Sequence, residues 1–195
     1  KPSHILRATE NIDEMVKIIK KLLKKGYAYK TSDGIYFDIN KSSNYGELVK
    51  LDKIKKKKER IIADEYDKSN PQDFALWKIY TIEDKDVFWD TEIGKGRPGW
   101  HIECSAMSMK VLGEHFDIHT GGLDLLFPHH TNEIAQSECA TGKKFVNYWL
   151  HGGMLNIKEG KMSKSLGNIY TLKDLKDKGY NPLDYRYLVL QTHYR

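Results

Sequence analysis

Phe116-Asp-Ile-His119, the pair Gly121-Gly122, Asn132 to Cys139 and Val146 to Leu150 follow one another closely, and their order decides the fold class. The first reads as a short buried strand, the glycine pair as a turn, the third as a helix and the last as another short strand. Cys104 to Leu112, just upstream, reads as a further helix, and Gly153 to Ile157, just downstream, as a further strand. Short strands separated by helical stretches predict α/β layering with parallel strands. Beyond them, Leu172 to Lys178 and Leu183 to Gln191 read as helices.

Upstream the pattern differs. From Asn11 to Lys25, Ile12, Met15, Val16, Ile19, Leu22 and Leu23 recur at three- and four-residue steps while lysines fill the other face, which predicts an amphipathic helix. Thr9 or Asn11 can cap its start and Gly26 its end. Tyr27 to Lys30 and Ile35 to Ile39 are β-prone runs around an Asp33-Gly34 turn, so a hairpin is expected. From Asn40 to Asp67 the chain turns polar and carries the basic run Lys53 to Arg60. With no aromatics among its lysines, that run reads as a solvated helix or loop rather than a nucleic-acid stripe. Asp73-Phe-Ala-Leu-Trp-Lys78 and Val87-Phe-Trp89 restore apolar content. Gly94, Gly96, Pro98 and Gly99 then mark a loop where the backbone turns or closely approaches something.

Composition excludes several classes. Hydrophobic residues make up 39% and charged residues 30% of the 195, as in a folded domain and unlike a disordered or fibrous chain. No apolar run approaches the roughly 20 residues of a membrane-spanning helix. Cys104 and Cys139 are too few for a disulfide scaffold and suit a reducing compartment; with no charged-then-apolar leader, a cytoplasmic location is expected. The net charge of +5 is a mild bias towards anionic partners, for which surface lysines also suffice.

Two constellations carry chemistry. Lys161-Met-Ser-Lys-Ser165, followed by Leu-Gly-Asn168, places two lysines three residues apart among serines and before a glycine. Such a loop can neutralise charge developing on a polyphosphate. Cys104, His129 and Glu133 form a mixed set of zinc-compatible donors: thiolate, imidazole and carboxylate. One helical turn would bring His129 and Glu133 to the same side. By spacing alone His130, three residues from Glu133, competes for the same role.

The Lys161–Ser165 string resembles the KMSKS loop of class I aminoacyl-tRNA synthetases. Gly96-Arg-Pro-Gly-Trp-His-Ile-Glu-Cys-Ser-Ala-Met107, Phe116-Asp-Ile-His119 and Phe127-Pro-His-His-Thr-Asn-Glu-Ile-Ala-Gln136 narrow the match to the cysteinyl-tRNA synthetase family. Arg7-Ala-Thr9, Asp73 to Lys78 and Tyr148-Trp-Leu-His151 agree with it. The resemblance spans essentially the whole chain, in the family's order. It implies the second half of a doubly wound, Rossmann-like parallel-sheet catalytic domain with an α+β connective-peptide insertion. Residues 1–26 would close the first half of the nucleotide-binding fold and 27–97 would be the insertion. Residues 98–170 would be the second half with the KMSKS loop, and 171–195 the start of the helical stem-contact region.

What the resemblance implies about function is specific. L-cysteine and ATP, as its Mg2+ complex, would give cysteinyl-adenylate and pyrophosphate, and the aminoacyl group would pass to tRNA(Cys). Lys161 and Lys164 would be the catalytic lysines, Lys164 contacting ATP. Trp100, His119 and Asp124 would surround the bound cysteine. One zinc ion would sit on Cys104, His129 and Glu133, the resemblance selecting His129 over His130. The family's fourth ligand, an earlier cysteine, has no counterpart before Cys104, and its HIGH tetrapeptide is absent too. Cys139 reads as a helix-packing residue. The chain is thus expected to be an internal fragment of a cytoplasmic, monomeric enzyme, inert by itself. Two alternatives stand beside this reading. One is the mycothiol-pathway ligase joining cysteine to an amino sugar, which resembles the same core. The other is a non-catalytic zinc- or RNA-binding module, for which an intact KMSKS string would serve no purpose.

Overall fold

The structure is a computed structural model that describes residues 1–49, 73–154, 156–157, 160–161 and 169–192. The first helix, α1 (Ile12–Lys25), forms where the apolar periodicity places it. Met15, Ile19 and Leu22 are fully buried on one face, each stabilising the fold by about 1.5–3 kcal/mol. Asn11 occupies the N-cap position, but its side chain does not cap: Nδ2 donates to Arg7 O at 2.7 Å, and Oδ1 accepts from Lys110 Nζ at 2.6 Å. Gly26 ends the helix in the left-handed region at φ 78°, where a side chain would be strained.

The expected hairpin follows as β1 (Ala28–Lys30) and β2 (Gly34–Phe37), with Ala28 opposite Phe37 and Lys30 opposite Ile35. Strands β3 (Phe74–Ile79) and β4 (Gly96–Pro98) extend it into a four-stranded antiparallel sheet of order β1-β2-β3-β4. The sheet corrects one expectation. Gly96 to Pro98 is an edge strand, not a loop, paired with Trp77 to Ile79. The glycines serve close approach: a Cβ on Gly96 would run into Lys78 O, and one on Gly99 into Ala75 O. Gly99→Ala is therefore expected to destabilise the protein by about 3 kcal/mol or more, the upper end of overpacking costs. A urea midpoint unchanged from the parent would refute this. The basic run 53–60 lies outside the described residues.

Helix α2 (Trp100–Leu112) starts four residues earlier than predicted, because Gly99 adopts an extended N-cap conformation and its N–H bonds to Leu76 O at 3.0 Å. Strand β5 (Phe116–Gly122) pairs in parallel with β6 (Val146–Gly152), as the α/β pattern requires. Gly121 and Gly122 are not a turn but the last paired residues of β5, opposite His151 and Gly152. Nor is β5 buried throughout: Phe116 is, whereas Ile118 is 55% exposed. The outer face of the β5–β6 pair carries Ile118, Tyr148 and Leu150, and its inner face His119 and Trp149. Between the strands a 3-10 turn (Leu123–Leu125) and an irregular turn (Leu126–His130) lead into α3 (Thr131–Thr141). The predicted strand at Gly153 to Ile157 shortens to β7 (Asn156–Ile157), paired with β8 (Gly160–Lys161). Helices α4 (Leu172–Asp177) and α5 (Pro182–Gln191) close the described chain, each with a capping box at its start.

Side chains from α1, the antiparallel sheet, α2 and α3 share one core, centred on Met15, Ile19, Leu22, Phe37, Leu76, Trp77 and Ile102. Polar ties reinforce it. Lys25 Nζ donates to the carbonyls of Cys139 and Ala140 at 3.2 and 2.7 Å, at the C-terminal end of α3 where a cation is favoured. Tyr45 Oη donates to Asn132 Oδ1 at 2.7 Å. Cys139 packs against this core as expected and belongs to neither cluster of potential metal donors. A smaller cluster of Phe116, Phe145 and Val146 fixes the parallel pair.

Candidate metal centre

Three elements bring the donor set together. Cys104 comes from α2, His129 from the turn before α3, and Glu133 from the first turn of α3. The donor atoms of Cys104, His129 and Glu133 all lie within 4.8 Å of one another. His129 Nε2 is 3.2 Å from Glu133 Oε1, so the four-residue spacing places both on one side. Glu133 is fully buried, and neither carboxylate oxygen has a partner in hydrogen-bond geometry among the described residues. A buried carboxylate met only by imidazole nitrogens outside hydrogen-bond geometry is costly unless a cation joins it. The donor chemistry suits zinc, since all three side chains are zinc donors and two ligands of one tetrahedral ion stand about 3.3 Å apart.

Electrostatics agree. Burial works against the charge of Glu133, yet the His119 and His129 imidazoles beside it outweigh that cost and hold the carboxyl below its ordinary range. Burial, together with the Glu133 and Glu103 carboxylates, pushes the Cys104 thiol up to about 12. A cation binding there must therefore displace the thiol proton.

The other predicted residues fall at different distances from this centre. His119 lies in the middle of β5, not at its end, and its Nε2 is 3.4 Å from Glu133 Oε1. Trp100, 57% exposed, lies against His129 with ring centroids 4.4 Å apart and ring planes tilted by 35°. Asp124 is exposed on the Leu123–Leu125 turn, and no hydrogen bond or ion pair of the described residues joins it to the cluster. Lys161 is described only through its backbone, in β8, and Lys164 lies outside the described residues.

Sequence reasoning missed part of the surroundings. His101 Nδ1 lies 3.0 Å from His129 Nδ1, and His130 Nδ1 lies 2.8 Å from His151 Nε2. His130, the rival by spacing, is not excluded from Glu133: with His119 and Glu133 it forms a second group within 4.8 Å. Burial lowers the His130 pKa to about 4, so its ring is neutral near pH 7. The signal was present in the concentration of six of the eight histidines between His101 and His151.

Residues 1–195 match the family model described as tRNA synthetases class I (C) catalytic domain. The chain belongs to this family. Relatives named cysteine–tRNA ligase are similar along its length. That of Brachyspira hyodysenteriae is 56% identical over 191 residues, covering 96% of this chain and 40% of the relative. That of Protochlamydia amoebophila is 54% identical over 193 residues, covering 96% and 40%. That of Pyrococcus abyssi is 53% identical over 198 residues, covering 100% and 40%. The chain thus spans about two fifths of the length of these relatives. Family membership agrees with the Rossmann-like α/β expectation and with the parallel β5–β6 pair. No described helix is long and apolar enough to cross a membrane.

Proposed function

We propose that this chain is an internal part of the catalytic domain of an ATP-dependent cysteine–tRNA ligase, inert by itself. The observation that carries the proposal is the Cys104–His129–Glu133 set, half-buried at Cys104 and buried at His129 and Glu133, beside Trp100 in a chain of the class I (C) family. One zinc ion would be held by these three residues, with a fourth ligand from outside the chain. Zinc there supplies a soft Lewis acid that prefers a thiolate to serine's hydroxyl or methionine's uncharged thioether.

The chain's own residues do the rest. Glu133, held between His119 and His129, keeps the donor set fixed. The open face beside Trp100 receives the amino acid, with His119 next to it and Asp124 on the following turn. Lys161 and Lys164 meet the phosphates of Mg2+–ATP. The cysteine carboxylate attacks the α-phosphate and pyrophosphate leaves; a terminal ribose hydroxyl of tRNA(Cys) then takes the aminoacyl group and AMP leaves. Both steps depend on positioning and charge stabilisation rather than a covalent enzyme intermediate. Residues 1–26, 27–97, 98–170 and 171–195 serve as the end of the first nucleotide-binding half, the insertion, the second half and the start of the stem-contact helices. The whole enzyme works as a cytoplasmic monomer.

The test is cysteine-dependent ATP–pyrophosphate exchange by the full-length protein, followed by charging assays with tRNA(Cys) and with an amino sugar. Exchange with cysteine but not serine, and product only on tRNA, is the expected result. Product on the amino sugar would move the assignment to the mycothiol-type ligase; no exchange at all would leave a binding module.

A further inference from the structure

The two helices that carry the donor set meet across a buried polar contact that the donor set itself does not use. Ser105 on α2 and Gln136 and Ser137 on α3 are completely buried. Gln136 Nε2 donates to His101 O at 2.7 Å and to Ser105 Oγ at 2.6 Å, and Ser137 Oγ donates to Ser105 Oγ at 2.9 Å. Gln136 Oε1 has no hydrogen-bond partner among the described residues.

The placement of these groups is what matters. Gln136 and Ser137 stand three and four residues after Glu133, on the same face of α3. On α2, Ser105 adjoins Cys104, and His101 stands three residues before it. The ring of His101 in turn meets His129, Nδ1 to Nδ1, at 3.0 Å. Each of the three donor residues is therefore one step from this network.

An apolar pair would fill the same space without leaving an amide oxygen unpaired, and an unpaired buried oxygen is costly. What the polar pairing adds is direction. Helices packed only on apolar ridges can slide or rotate by small amounts, whereas three short hydrogen bonds admit one register. We propose that Gln136 is a positioning residue for the metal centre: with Ser105 and Ser137 it locks α2 against α3, so that Cys104 is held at the His129–Glu133 pair. This rests on the metal reading given under Proposed function and deepens it.

The experiment is Co2+ binding by the full-length protein, with affinity from chelator competition and coordination from the visible ligand-field bands. Gln136→Met keeps volume and removes both the donors and the orphan oxygen. Its metal-free melting temperature should match or exceed the parent's, while Co2+ affinity falls about 10-fold or more and the bands shift, as for loss of an outer-shell support. Ser105→Ala, a gentler change, should move affinity and bands the same way by about threefold or more, and carries the test if Gln136→Met does not fold. Parent-like affinity and bands in the variants that fold would overturn the positioning role while leaving the metal centre standing. Failure of the parent itself to bind Co2+ would instead bring down the metal reading and this inference with it.

Discussion

Cys104→Ser in the full-length protein is expected to lose zinc and, with it, cysteine activation. Serine keeps the shape but replaces the softest donor by a hydroxyl that at neutral pH stays protonated. It leaves Glu133 buried with one fewer route to neutralisation, in a place where both its oxygens already lack hydrogen-bond donors. Removing an outer partner of a metal site typically costs about 10–100-fold in affinity, and losing a direct donor should exceed that. Metal content by mass spectrometry and ATP–pyrophosphate exchange measure the two consequences separately. Parent-like zinc content with normal exchange would remove Cys104 from the donor set. Normal zinc with lost exchange would keep a metal centre but shift its anchor towards the His119–His130–Glu133 group.

Lys164→Ala in the full-length protein should slow adenylate formation by about 30- to 1,000-fold with a far smaller change in cysteine binding. The reasoning is electrostatic. Negative charge shifts onto the departing pyrophosphate as the carboxylate attacks, so a flexible ammonium contributes most at the transition state. Losing such a contact costs about 2–4 kcal/mol, by analogy with a lost oxyanion donor. Lys164→Arg, which keeps the charge but not the compact point geometry, should recover part of the rate. Single-turnover adenylate formation at the parent rate in Lys164→Ala would end this role for the residue.

Much of the fold is legible in the sequence where one local signal dominates. The helix α1 shows in the recurrence of Met15, Ile19 and Leu22, and the hairpin in Asp33-Gly34 between two β-prone runs. Strand β4 is not legible, because glycine and proline read locally as a loop and only the crowding against Lys78 O and Ala75 O explains them. The exposed outer face of β5 is hidden for a similar reason: Ile118 looks like a core residue until the sheet places it opposite Tyr148 on the open side. At the site, the spacing of His129 and Glu133 brings one turn into view. The contacts of His101 with His129 and of His130 with His151 do not show, since they join elements 28 and 21 residues apart.

No residue intervenes to act as a hinge between β4 and α2 except Gly99, and that residue is pinned to Leu76 by its own amide. The antiparallel sheet is therefore a rigid handle on the helix that bears Cys104. A tilt of the sheet, from any load on its surface, travels along the backbone into the donor set instead of being absorbed in a slack connection. The sheet and the candidate donor set are coupled as the two arms of one lever.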